Sequence, residues 1–240
     1  MTLGLLIQHS TLNIQHSTFV PAKYDSGMTD FDIRIIPATV HGRYLVRQGP
    51  PERLLAGFHG YGETAEVHMA ELQQIPGIER WTAVAVQALH PFYLNRTGAI
   101  VGSWMTSLDR ELAIEDNRAY VRSVVAQFPS PRQLVFLGFS QGVPMAYRAA
   151  AGSDATGLIA LGGDAPPELF EPPPRLPPVL IGRGTREEWY TEEKLEKDLR
   201  FLSAVTTVST CVYDGGHEWT AAFRVAAGEF LARLADSSTT

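Results

Sequence analysis

The pentapeptide Gly-Phe-Ser-Gln-Gly at residues 138–142 is the part of the sequence best suited to covalent chemistry. It follows the apolar run "LVFL" (134–137) and precedes a helix-like stretch. A serine between two glycines at such a junction can lie on a tight, strained turn that exposes its hydroxyl. The helix that follows then directs its first N–H groups at the negative oxygen formed on acyl attack. We predict that Ser140 is a nucleophile; the alternative is an ordinary turn serine.

A serine hydroxyl reacts poorly until an imidazole accepts its proton. Of the seven histidines in the chain, only His217 lies after Ser140. It stands in "DGGHEW", a Gly-rich turn between the last predicted strand and the last predicted helix. In a serine site built on this kind of turn, the acid and then the base follow the nucleophile along the chain. We therefore predict His217 as the base, against the alternative of a structural histidine.

The acid that orients the imidazole is expected in the loop "TREEWYTEE" after the strand "PVLIGRG". We favour Glu187, with Glu188 second and Asp164 of "GGDAPP" as a further alternative. Each could also be an ordinary solvated charge.

Acyl transfer also requires donors for the developing oxyanion. The residue after the nucleophile, Gln141, can supply one backbone N–H. The loop "FHGYGE" (58–63) can supply the other from Tyr61. His-Gly-x-Gly could otherwise be an ordinary glycine turn.

These residues must be positioned by a repeated strand and helix pattern. Buried strands that alternate with helices predict a mostly parallel sheet, with helices on both faces. The first two strands predict an antiparallel hairpin at its edge. Ligands bind beyond the carboxyl ends of the strands in such sheets, where the candidate residues lie. The eight predicted strands span 31–38, 42–48, 53–58, 81–88, 133–139, 157–163, 178–184 and 206–213.

Residues 89–108 are predicted to be irregular because Pro91, Gly98 and Gly102 interrupt them. Within this segment Trp104 and Met105 could line an acyl pocket, or they could fill the core. The same segment offers weaker pocket candidates, Phe92 and Tyr93.

The composition limits the class of protein. A chain of 240 residues with 45% hydrophobic residues suits one α/β domain. The net charge of −6, without a basic run, argues against nucleic acid and anionic membranes as partners. No apolar run approaches the roughly 18–20 residues of a membrane span. We expect a poorly ordered tail over 1–28, a single domain over 29–240 and a cytoplasmic location.

No cofactor or metal is expected. The only cysteine, Cys211, predicts a buried strand thiol and excludes an internal disulfide or a cysteine-based metal cluster. The glycine-rich stretches lack the lysine of a phosphate-binding loop.

With these motifs together, the sequence resembles the phospholipase/carboxylesterase family of α/β-hydrolases, which includes acyl-protein thioesterases. The resemblance covers about residues 52–235. It rests on "HGYGE", "GFSQG", "LGGDAPPEL", "GRGTREEWY" and "GGHEW". It implies the α/β-hydrolase fold without a large lid, and a generally small, metal-free hydrolase of carboxylic esters or thioesters.

The resemblance carries the nucleophile to Ser140, the base to His217 and the oxyanion donors to Tyr61 and Gln141. Two positions depart from the family pattern. The family usually has Asp where this chain has Glu187, and it commonly has Gly where this chain has Val143. The alternatives are a lysophospholipase or acyl-protein thioesterase, a lipase-like enzyme, a dienelactone-hydrolase-like enzyme, and a binding protein that has lost turnover.

Overall fold

The computed structural model describes residues 34–236. The chain divides into one unit over residues 1–39 and another over residues 40–240. In the first unit only residues 34–39 are described, and they form no helix or strand. The predicted strand over 31–38 is therefore wrong for residues 34–38, while residues 31–33 and the predicted tail lie outside the described residues.

The second unit is built on a seven-stranded sheet in the order β1-β3-β2-β6-β7-β8-β9. Every neighbouring pair is parallel except β1 and β3. The sheet therefore has an antiparallel edge, but it is formed by β1 with β3 and not by the predicted hairpin. Its strands are β1 Tyr44–Arg47, β2 Arg53–Phe58, β3 Thr82–Val86, β6 Gln133–Phe139, β7 Gly157–Leu161, β8 Val179–Gly184 and β9 Val208–Tyr213.

Among the described residues four α-helices lie between strands, and a fifth follows β9. Thr64 caps α1, because its hydroxyl accepts the Val67 N–H at 3.4 Å. Asp109 precedes α2, but its side chain makes no capping bond. Within residues 34–236 no helix is long and apolar enough to cross a membrane. The helices are α1 Ala65–Leu72, α2 Arg110–Val125, α3 Gly142–Ala151, α4 Glu192–Leu202 and α5 Ala221–Asp236.

The core forms a layer on each face of the sheet, since successive strand side chains point to opposite faces. On β2, Leu54 packs in the layer that α2, α3 and α4 cover. Its neighbour Leu55 packs in the layer that α1 and α5 cover. The prediction of helices on both faces is confirmed. Cys211 on β9 is partly buried, and burial raises the pKa of its thiol.

A two-stranded antiparallel ribbon lies within residues 89–108, so the prediction of irregular structure is wrong for residues 90–93 and 100–103. It consists of β4 His90–Tyr93 and β5 Ile100–Ser103. These short strands place Pro91 opposite Gly102, residues that a sequence pattern treats as strand breakers. Gly102 also exchanges two backbone hydrogen bonds with the loop after β2. The ribbon therefore fixes that loop at the carboxyl edge of the sheet.

Candidate active site

Ser140 lies on a tight turn between β6 and α3. Its φ angle is 53°, in the left-handed region that non-glycine residues rarely adopt. Its N–H donates to the Leu161 carbonyl at 2.8 Å, which ties the turn to the end of β7. A methyl group on Gly138 would collide with the Gly142 carbonyl, and one on Gly142 would collide with the Phe58 carbonyl. The sequence pattern thus predicted a turn that only glycine can flank.

The loop after β9 brings His217 to this serine. Its Nε2 lies 2.8 Å from Ser140 Oγ, within hydrogen-bonding range. The imidazole is also in contact with the Phe139 ring, whose centroid is 4.9 Å away. Ser140 is half-buried and the His217 side chain is 25% exposed, so both stay accessible to a small molecule.

Glu187 completes a chain of hydrogen bonds. Its side chain is fully buried, and Oε2 lies 2.6 Å from His217 Nδ1. Its other oxygen, Oε1, accepts the N–H groups of Trp189 at 2.8 Å and Tyr190 at 3.3 Å. Burial alone would raise the pKa of Glu187, but the His217 bond and the two backbone donors lower it below the ordinary value. The carboxylate is therefore held ionised beside Nδ1.

The two alternative acids do not approach His217. Glu188 is exposed. Asp164 is also exposed, and its carboxylate lies 3.8 Å from the ammonium of Lys194. Among the three candidates the structure brings only Glu187 to the imidazole.

The predicted oxyanion donors lie on the two loops that meet at the serine. Phe58 at the end of β2 is paired with Gly138, so the loop carrying Tyr61 begins beside the serine turn. Within residues 34–236 neither the Tyr61 N–H nor the Gln141 N–H donates to a protein atom. Both donors are therefore free for a ligand oxygen.

The Gln141 side chain has a role that the sequence reasoning missed. Its Oε1 accepts the Trp104 N–H at 2.9 Å, and its Nε2 donates to the Met105 carbonyl at 3.0 Å. The amide of the residue after Ser140 thus anchors the segment that follows β5.

Three further side chains hold the Tyr61 loop, a role that sequence reasoning missed. His59 is fully buried, and its Nε2 accepts the Ala88 N–H at 3.0 Å. The ring proton is therefore on Nδ1, which donates to the Gly60 carbonyl at 2.7 Å. Burial lowers the pKa of His59, which keeps the ring neutral. Glu63 Oε2 accepts the Gly60 N–H at 2.8 Å. Trp104 Nε1 donates to the His59 carbonyl at 2.8 Å.

The two glycines after β7 also escaped the sequence reasoning. Gly162 has a φ angle of 64°, and a methyl group there would lie 3.2 Å from His217 Cε1. A methyl group on Gly163 would lie 2.7 Å from the Ser140 carbonyl oxygen. The "GG" of "LGGDAPP" therefore gives the imidazole and the serine turn room to pack closely. The sequence motif contains both glycines, but their contacts with His217 and Ser140 depend on the fold.

The prediction that Trp104 lines an acyl pocket is wrong. Its side chain is fully buried in the core against Phe58, with ring centroids 5.5 Å apart. Met105 is half-buried and packs against the same core layer. Of the weaker candidates, Phe92 is half-buried and stacks on the Tyr61 ring, whose centroid is 5.3 Å away, whereas Tyr93 is 70% exposed.

The arrangement has the components of acyl transfer: a hydroxyl, an imidazole to take its proton, a buried carboxylate and two free backbone donors. Among residues 34–236 no three His, Cys, Asp or Glu side chains lie together as a metal site.

Solved structures with the same fold include three hydrolases. Esterase PE8 is 21% identical, with a TM-score of 0.69 over 81% of this chain and 100% of that chain. Acyl-protein thioesterase 2 of Zea mays is 16% identical, with a TM-score of 0.65 over 81% and 99%. The carboxylesterase of Bacillus cereus is 14% identical, with a TM-score of 0.64 over 80% and 94%.

These structures confirm the predicted α/β-hydrolase fold. Their names match the kinds of enzyme that the sequence motifs resemble. No protein-family model matches the sequence, and no curated protein matches it either.

Proposed function

We propose that this chain is a serine hydrolase that cleaves carboxylic esters or thioesters of small or acyl-chain substrates through an acyl-enzyme on Ser140. One observation carries the proposal: Ser140 Oγ, His217 and Glu187 form a continuous hydrogen-bonded chain, with distances of 2.8 Å and 2.6 Å. Its order along the chain, serine, acid and then histidine, is that of serine sites on this fold.

In the first half of the reaction, Ser140 Oγ attacks the acyl carbonyl carbon while His217 Nε2 takes the hydroxyl proton. The carbonyl oxygen becomes negative and accepts the N–H groups of Tyr61 and Gln141. When the carbonyl re-forms, the bond to the alcohol or thiol breaks, and the leaving group takes the proton from Nε2. Glu187 holds the imidazole with its proton on Nδ1 and stabilises the positive charge on the ring.

In the second half, water replaces the leaving group. Nε2 takes a proton from the water, whose oxygen attacks the ester carbonyl of acyl-Ser140. The same backbone donors hold the second oxyanion. Collapse of this intermediate breaks the bond to Oγ and returns the proton from Nε2 to the serine, so a carboxylic acid leaves and the enzyme is regenerated.

The free donors, the solved esterases and the thioesterase support both ester and thioester bonds as substrates. A binding protein without turnover is the alternative from a different class. It predicts retention of ligand without hydrolysis, so kinetics distinguish the two.

The test is hydrolysis of p-nitrophenyl esters of increasing chain length, beside an acyl-thioester, by the wild type and Ser140→Ala. We expect kcat/KM in Ser140→Ala to fall by a factor of about 10³ or more, because the nucleophile is gone while the oxyanion donors remain. Ser153→Ala is the matched control, since this exposed serine bonds only to backbone carbonyls at the end of α3. Equal activity in Ser140→Ala and wild type would refute the proposal.

A further inference from the structure

Asp198 is a buried carboxylate on α4. It is 1% exposed. A single oxygen, Oδ2, accepts two hydrogen bonds, from the Ala165 N–H at 3.0 Å and from the Tyr190 hydroxyl at 2.9 Å. Ala165 and Tyr190 belong to different loops, one after β7 and one after β8. Asp198 is therefore the common anchor of two loops that border the candidate site.

The loop after β8 carries the candidate acid. The Tyr190 N–H donates to Glu187 Oε1 at 3.3 Å, and the Tyr190 carbonyl accepts Arg183 Nε at 2.8 Å. The Tyr190 side chain is 1% exposed. Its hydroxyl bond to Asp198 thus fixes the far end of the turn that aims Glu187 at His217.

The loop after β7 packs against the nucleophile and the base. It starts with Gly162 and Gly163, at which added methyl groups would lie 3.2 Å from His217 Cε1 and 2.7 Å from the Ser140 carbonyl oxygen. Ala165 follows two residues later and donates its N–H to Asp198. A shift of this loop would disturb the contacts of both Ser140 and His217.

The charge on Asp198 opposes folding. Burial is the main cause that raises the pKa of Asp198 to about 6, and nearby Asp164 also raises it. The hydrogen bonds from Ala165 and Tyr190, and the charge of Lys197, lower this pKa. The Tyr147 phenol also lies in the field of this carboxylate, and its hydroxyl has no hydrogen-bond partner in the described residues. Relative to the unfolded chain, the folded state therefore favours the neutral acid.

We propose that Asp198 is a positioning residue of the hydrolase, which holds the Glu187 loop and the Gly162–Gly163 loop in the geometry that the reaction requires. This inference rests on the function proposed above. It explains why an ionisable group that destabilises the fold occupies a buried position, where it accepts one hydrogen bond from each of two loops. A residue with a purely structural role would increase the stability of the fold there.

Two variants separate these roles. In Asp198→Asn an amide oxygen can accept both bonds, but more weakly than a carboxylate, so we expect kcat to fall about tenfold at unchanged KM. In Asp198→Ala both donors lose their acceptor, and we expect kcat to fall about 100-fold.

The stability of Asp198→Asn should change in the opposite direction from its activity. Ionised Asp198 opposes folding above pH 6, whereas below the ordinary aspartate pKa of about 4 the group is neutral in both states. Asp198→Asn should therefore unfold at a higher denaturant midpoint than wild type at pH 8, and this advantage should shrink as the pH falls from 6 towards 4.

A spectroscopic measurement needs no substrate. The proton between His217 Nδ1 and Glu187 should give a low-field NMR resonance in the wild type, a weaker one in Asp198→Asn and none in Asp198→Ala. Glu71→Gln is the matched control, because it removes a half-buried carboxylate that accepts two Arg224 bonds between α1 and α5. This control should lose stability and keep both kcat and the resonance.

Wild-type kcat and an intact resonance in Asp198→Ala would overturn the inference. So would losses of kcat in the Asp198 variants that match those of Glu71→Gln. If Ser140→Ala kept full activity, the proposed function would fail instead, and the resonance would still report whether Asp198 positions Glu187.

Discussion

Replacement of Glu187 by Gln tests how the acid acts. Gln has the same shape as Glu but presents one carbonyl oxygen and one NH₂ group. In the structure, Oε1 faces the N–H groups of Trp189 and Tyr190, and Oε2 faces His217 Nδ1. Two fixed backbone donors require the amide oxygen, so the NH₂ group must face Nδ1.

This orientation determines the tautomer of His217. An NH₂ group facing Nδ1 requires Nδ1 to be an acceptor, and the ring proton then moves to Nε2. Nε2 can no longer take the Ser140 proton. In a serine protease, asparagine in place of the acid traps the same wrong tautomer and lowers kcat by about 10⁴, and we expect a loss of about 10³ to 10⁴ here.

The assay is the steady-state hydrolysis of a p-nitrophenyl ester by wild type, Glu187→Gln and Glu187→Asp, with circular dichroism to confirm folding. Glu187→Asp keeps the charge but retracts the carboxylate by one methylene, so its loss should be smaller, about 10². A Glu187→Gln enzyme within tenfold of wild-type kcat would refute the tautomer argument. So would equal losses in the two variants.

Two further predictions concern buried groups near the site. His68 is fully buried, neither ring nitrogen has a hydrogen-bond partner in residues 34–236, and burial lowers its pKa to about 3. Above pH 6.5 the ring is neutral in both the folded and the unfolded chain. Below pH 6.5 only the unfolded chain binds the proton, so stability falls by about 2 kcal/mol between pH 6.5 and 5. Urea unfolding should show that His68→Leu removes this loss, and an unchanged loss would contradict the argument. Trp104→Phe should lower the free energy of unfolding by about 1–3 kcal/mol by leaving the His59 carbonyl unpaired. It should not alter the chain-length preference, and a changed preference would restore Trp104 as a pocket residue.

The sequence predicted the parts of the site that local pattern determines. The glycines on each side of Ser140 are required by backbone contacts within and beside the turn. His217 could be chosen because its order along the chain and its turn left no other candidate. Glu187 was chosen by its distance from a predicted strand end, and its buried position beside the imidazole agrees with that choice.

The remaining features depend on contacts between distant segments. Asp198 lies in "TEEKLEKDLR", which reads as a charged outer helix, and its burial follows only from how α4 packs against two loops. Trp104 could face a pocket or the core, and the direction was set by the bonds of its ring and backbone to His59 and Gln141. The β4–β5 ribbon contains Pro91 and Gly102, and it forms because the loop after β2 pairs with Gly102.

The central claim is that the hydroxyl of Ser140 becomes covalently bonded during turnover. The direct measurement is peptide mass spectrometry after reaction with a fluorophosphonate, in wild type and in His217→Ala. We predict one phosphonate per chain, on Ser140, formed at least 10³-fold more slowly when His217 is absent. Modification at another residue, or equally fast labelling without His217, would contradict the account.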